Sequence, residues 1–139
     1  MSDTQVTWVD GMQFVAETAG HAIVIDGAPG FGHDTGIPPM RLLLLGAAGC
    51  SAMDVVHILK NRMHREVTSL RVDVEAEQAD EHPKVYTRIK LKYRVKGRKL
   101  KEKDVRRAIE LSRTQFCSAA IMLAASAEVV TSFEIEQDE

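Results

Sequence analysis

"LLLLGAAGCSAMDVVHILKNR", residues 42–62, decides the fold. Pro39 stands just before it, at the first turn of a helix, where its missing N–H costs nothing. From there the helical pattern persists to about His64, some 25 residues or ~38 Å. A surface helix shows one apolar stripe, whereas Leu42 to Leu59 are apolar on nearly every side, so this helix needs cover all round. A domain of 139 residues has difficulty supplying that cover alone, and a second chain is its natural source. Gly46 and Gly49, with Ala47 and Ala48 between them, make a small-residue patch that another backbone can approach. Cys50 follows directly. Asp54 and His57 interrupt the apolar run and make it a poor membrane span.

Working outward, residues 5–26 read as three strands. "VTWV" and "MQFVAET" are joined by a turn at Asp10-Gly11, and a second turn at Ala19-Gly20 leads into "HAIVID". "GAPGFGHDTGIPP", residues 27–39, is too rich in Gly and Pro for a regular element, and no GK[ST] follows that would make it a phosphate loop. Residues 69–77 and 85–96 alternate strictly, with Leu70, Val72, Val74 and Ala76 on one face of the first and Val85, Ile89, Leu91, Tyr93 and Val95 on one face of the second. The acidic outer face of one strand is the partner of the basic outer face of the other. That makes the basic stripe a salt-bridged sheet face and not a nucleic-acid surface. Residues 101–112 form an amphipathic helix. "TQFCSAAIMLAASA" forms another, with Thr114 as its cap and Cys117 in its first turn, and "EVVTSFEIE" is a closing strand.

Length, a hydrophobic fraction of 45% and a charged fraction of 27% describe one globular domain over residues 1–139. A net charge of −2 argues against phosphate neutralisation as the main work. No secretory signal opens the chain, so the expected compartment is the cytoplasm, with neither membrane nor nucleic acid as partner. The two cysteines, Cys50 and Cys117, have 66 residues between them, a spacing that matches no zinc motif. In a reducing compartment a paired thiol is catalytic or redox-sensing, while two inert buried thiols are the plainer alternative. No cofactor and no metal site is expected. A Cys50, His57, Cys117 metal set lacks a known spacing, and His57 and Arg113 read more simply as a core histidine and a solvated helix-end cation.

The central "LLLLGAAGCSAMDVV" after a proline, the later "SRTQFCSAAIMLAASAEVVTSFEI" and the loop "GFGHDTGIPP" together resemble the OsmC/Ohr family of thiol-dependent hydroperoxide reductases, over essentially the whole chain. The resemblance implies an α+β fold, with antiparallel sheets around a long central buried helix, in an intertwined homodimer. It also implies a mechanism: the first cysteine, matching Cys50, is oxidised by an organic hydroperoxide to a sulfenic acid. The second, matching Cys117, closes a disulfide that a thiol or dithiol reductant reopens. The better-defined Ohr subgroup activates its first thiol with an Arg from the N-terminal strands and a Glu ten residues before the cysteine. Here the second position is Met40, and no Arg precedes Arg41. That departure keeps a second reading open: a dimeric OsmC-fold protein that binds an apolar or thiol-bearing small molecule in a pocket between subunits, its cysteines responsive but not turning over.

Overall fold

Residues 3–138 are described by a computed structural model. The chain divides into two units, one ending at Leu43 and the other beginning at Leu44. In the first, β1 (Thr4–Asp10), β2 (Gln13–Thr18) and β3 (His21–Ile25) form an antiparallel meander, as the two expected turns predict. The first turn is Gly11-Met12, one residue later than expected, because the β1–β2 register slips between Trp8 and Asp10. The second turn carries left-handed backbone at both Ala19 (φ 50) and Gly20 (φ 83), as a two-residue hairpin of the right twist requires.

The Gly-rich loop is ordered about one carboxylate. Asp26 is buried and accepts hydrogen bonds from the amides of Gly27 (2.6 Å), His33 (3.4 Å) and Thr35 (3.1 Å), and from the Thr35 hydroxyl. The Thr35 hydroxyl is the main cause holding the Asp26 carboxyl below its usual range, and the amides add to it against the cost of burial. At Gly32 a Cβ would collide with that carboxylate, so the wrap needs glycine there.

The second unit holds the core. α1 (Pro39–His57) continues through a π-helical turn (Ile58–Arg62), so the helix ends two residues before its expected end. β4 (Glu66–Gln78) and β5 (Tyr86–Arg98) pair antiparallel. α2 (Glu102–Leu111), a second π-helical turn (Ser112–Phe116) and α3 (Ser118–Leu123) follow. β6 (Glu128–Gln137) joins the free edge of β5 in parallel, giving a mixed sheet in the order β4-β5-β6. The helical connection across the sheet face makes that parallel pairing possible.

Ile89, Leu91, Tyr93 and Val95 of β5 are buried beneath Val55, Ile58 and Leu59 of the long helix and Val105, Ala108 and Ile109 of α2. Tyr86 replaces Val85 at the end of that buried row, because a register shift at Glu77/Gln78 ends the regular ladder and Val85 precedes the strand. The outer face is charged as expected, but its acids come from both neighbours of β5. Arg94 pairs with Asp73 of β4 at 2.7 Å and with Glu134 of β6 at 3.1 Å, and Lys92 reaches Glu134 at 2.8 Å.

Helix α1 buries one side only. Leu44, Ala47, Ala48, Ser51 and Val55 are inserted in protein, while Leu43, Leu45 and Met53 (75% exposed) face outward, and a Cβ on Gly46 or Gly49 would meet open space. Pro39–Arg62 is long and apolar enough to cross a membrane by length and composition alone. The buried side is how a core helix meets the same criteria. The first unit also leaves apolar side chains uncovered, among them Val6, Trp8 (64% exposed), Ile23 and Val24.

Candidate active site

Cys50, Asp54 and Cys117 converge: one sulfur from each cysteine and one carboxylate oxygen lie within 4.8 Å of one another. Cys50 and Asp54 share a helix face because they are four residues apart on α1. Cys117 arrives from 67 residues further along the chain, and the second π-helical turn delivers it. In a regular α-helix Ser112 and Cys117 would point ~140° apart. The π turn, closed by the Cys117 amide on the Ser112 carbonyl at 2.7 Å, aligns residues five apart and turns both side chains inward.

The two thiols differ in access. Cys50 is half-buried, whereas Cys117 is fully buried. Cys117 is the N-cap of α3, where its sulfur accepts from the Ala120 amide at 3.4 Å, and its thiol donates to the Ala47 carbonyl at 3.6 Å. This corrects the expected cap. Thr114 instead lies inside the π turn and donates back to the Glu110 carbonyl. The thiol pKa of Cys117 is pushed up to about 11, chiefly by burial, with Cys50 and Asp54 adding to the rise and the Ala120 amide opposing it.

Asp54 ends a buried chain of hydroxyls. Ser112 Oγ donates to Asp54 Oδ2 at 3.1 Å, Ser51 Oγ lies 2.8 Å from Ser112 Oγ, and Tyr93 Oη lies 2.5 Å from Ser51 Oγ. Each hydroxyl has one proton. With the Ser112 proton committed to the carboxylate, Ser51 must donate to Ser112 and Tyr93 to Ser51, so the whole row is polarised toward Asp54. Burial raises the Tyr93 phenol above its ordinary range and keeps it a donor.

A cavity of about 190 Å³ opens beside this carboxylate, lined by Asp54, His57, Ile58, Arg62 and Phe116. The Arg62 guanidinium stacks on the Phe116 ring at 5.3 Å. His57 is not in the sulfur–carboxylate cluster, and its Nδ1 lies 2.8 Å from the Asn61 side-chain nitrogen. A cation held by the cluster would need the buried Cys117 thiol to ionise beside a carboxylate. The donor set therefore suits proton and sulfur chemistry better than metal binding.

The family model for OsmC-like proteins matches residues 32–132. The chain belongs to the OsmC-like family. It is 39% identical over 132 residues to "Protein YhfA" of Escherichia coli, covering 94% of this chain and 96% of that one. A solved structure of a hypothetical protein from Aquifex aeolicus is similar at 28% identity and a TM-score of 0.88, covering 100% and 98% of the two chains. OhrB of Bacillus subtilis, described as an organic hydroperoxide resistance protein, shares the fold at 16% identity and a TM-score of 0.62, over 94% and 97%.

In this OsmC-like chain the cysteines were recognisable from sequence, but Ser51, Ser112 and Tyr93 were not. The signal available was Tyr93 itself. A tyrosine in the buried row of an alternating strand needs a partner for its hydroxyl, and only small polar residues on the covering helices can supply one.

Proposed function

We propose that this protein is a thiol-dependent peroxidase that reduces organic hydroperoxides through a Cys50/Cys117 redox pair in defence against oxidative stress. The observation that carries this reading is the convergence of the two sulfurs within 4.8 Å, one half-exposed and the other buried. Cys50 attacks the distal oxygen of the hydroperoxide and becomes a sulfenic acid. Cys117 then displaces its hydroxyl to form a disulfide, and a thiol or dithiol reductant restores both thiols. The cavity beside Asp54 offers Ile58 and Phe116 as apolar surface for the organic part of the substrate.

The working unit in this reading is one OsmC-like domain in a cytoplasmic homodimer. Support comes from the outward apolar side of α1, the open backbone at Gly46 and Gly49, and the uncovered side chains of the first sheet. The test is thiol titration before and after one equivalent of cumene hydroperoxide. Loss of two thiols with one equivalent of cumyl alcohol formed supports the peroxidase. Met40, standing where the Ohr subgroup has its Glu, favours the alternative of a binding protein, and unchanged thiols would establish that alternative.

A further inference from the structure

We infer that Asp54 carries the proton in both steps of the thiol chemistry, while Ser112, Ser51 and Tyr93 act as positioning residues that hold its carboxylate in place. The inference rests on the peroxidase reading for its substrate but not for its test. Both steps move a proton from a thiol to a departing oxygen. In the first, the Cys50 sulfur forms an S–O bond to the distal oxygen and the O–O bond breaks. Sulfur is oxidised by two electrons, the peroxide is reduced, and the thiol proton ends on the alkoxide oxygen as alcohol. In the second, the Cys117 sulfur bonds to the Cys50 sulfur, the S–O bond breaks, and the Cys117 proton ends on the leaving hydroxide as water.

The Asp54 carboxylate lies within 4.8 Å of both sulfurs. Its Oδ2 is anchored by Ser112, so the group can take a proton from either thiol and return it without losing its place. The surroundings leave it this task. On its own helix Asp54 has Cys50 and His57 for neighbours, followed by Arg62 in the first π turn. From the second π turn comes Ser112, with Arg113 acting on the Tyr93 phenol, then Cys117, and from β5 Tyr93. Arg62 lies over Phe116, and the Cys117 thiol is held protonated by burial, so it reacts only if its proton is removed at the moment of attack.

A purely electrostatic role for Asp54 predicts the opposite mutant phenotype. Its negative charge raises the Cys117 thiol, so removing it would ease ionisation and speed the reaction. A proton carrier predicts slowing. Wild type, Asp54→Asn, Asp54→Glu and Ser112→Ala are reduced, and closure of Cys50–Cys117 is timed with diamide and with cumene hydroperoxide from pH 5 to 9. Asp54→Asn is expected to slow closure by ~100-fold or more across that pH range and to be partly rescued in Asp54→Glu. Ser112→Ala is expected to lose about tenfold in kcat with KM unchanged. Closure in Asp54→Asn at or above the wild-type rate overturns the assignment, as does an unchanged Ser112→Ala if Asp54→Asn does not fold. Slowing with diamide in a protein whose thiols ignore cumene hydroperoxide supports the Asp54 assignment and sinks the peroxidase reading alone.

Discussion

Cys50 and Cys117 share one cluster but occupy two media. Cys50 stands mid-helix, half-buried, directly after the small-residue patch of α1. Cys117 caps α3, a position where the terminal N–H groups and the helix dipole favour a thiolate. By position alone Cys117 would be the more acidic thiol. Burial reverses that advantage: the Cys117 pKa is pushed up to about 11 because the desolvation of a buried sulfur outweighs one amide at 3.4 Å. A partial charge at a helix end acts on what solvent access has already decided. In the proposed mechanism the accessible thiol attacks, and the buried one waits as a neutral partner.

The largest expected effect concerns order of attack. Cys117→Ser should consume about one equivalent of hydroperoxide and accumulate sulfenic acid on Cys50, while Cys50→Ser should be inert. Mass spectrometry after a brief pulse distinguishes them, and a reactive Cys50→Ser with an inert Cys117→Ser reverses the comparison. Next, at pH 7 a thiol with a pKa of about 11 is ionised in about one molecule in ten thousand. Iodoacetamide should therefore label Cys50 at least ~100-fold faster than Cys117 in the folded protein, and comparable rates would abolish the contrast.

The same shift has a stability consequence with a definite sign. The thiol ionises near its ordinary 9.0 when unfolded and about 11 when folded, so the folded state holds the proton longer. Its contribution is complete below pH 9 and is lost as pH rises toward 11. Melting curves from pH 8 to 11 should fall in this window, and Cys117→Ser should flatten that part of the decline.

A smaller effect tests how open the medium of Cys50 remains. In the homodimer reading, Met53→Lys on the outward side of α1 should weaken self-association in light scattering at micromolar concentration. A wild-type monomer at that concentration would leave the apolar side of the helix without its proposed cover. The smallest effect is a control. Lys90→Gln with Lys92→Gln, on the outer face of β5, should shift Tm by no more than ~4 °C and leave both thiol rates unchanged. A lost rate with the fold retained would extend the site to that face.

Much of the fold is written in periodicity. The strict alternation of β4 and β5, the turns of the first sheet and the Pro39 start all follow from local rules. β6 does not reveal its direction, because "EVVTSFEIE" has the same alternation whether it pairs parallel or antiparallel. The π turns are equally hidden. "SRTQF" has ordinary helical composition, and only the packing around Ser112 and Cys117 selects the wider hydrogen bond. For the site, the cysteines are legible because thiols are rare. The Tyr93–Ser51–Ser112–Asp54 row is not, since its members are scattered over a helix, a π turn and a strand far apart in the chain.

The parallel seating of β6 bears on how the protein is born. β5 is synthesised with one edge unpaired, and the strand that fills it is translated after Cys50, Asp54 and Cys117 have all been made. At ribosomal speeds of ~5–20 residues per second, roughly 4–17 s separate the addition of Cys50 from the end of β6. During that interval the thiol exists without the finished sheet beneath its helix. The nascent chain thus passes through a stage in which both cysteines have been made while the sheet beneath their helices still lacks its last strand.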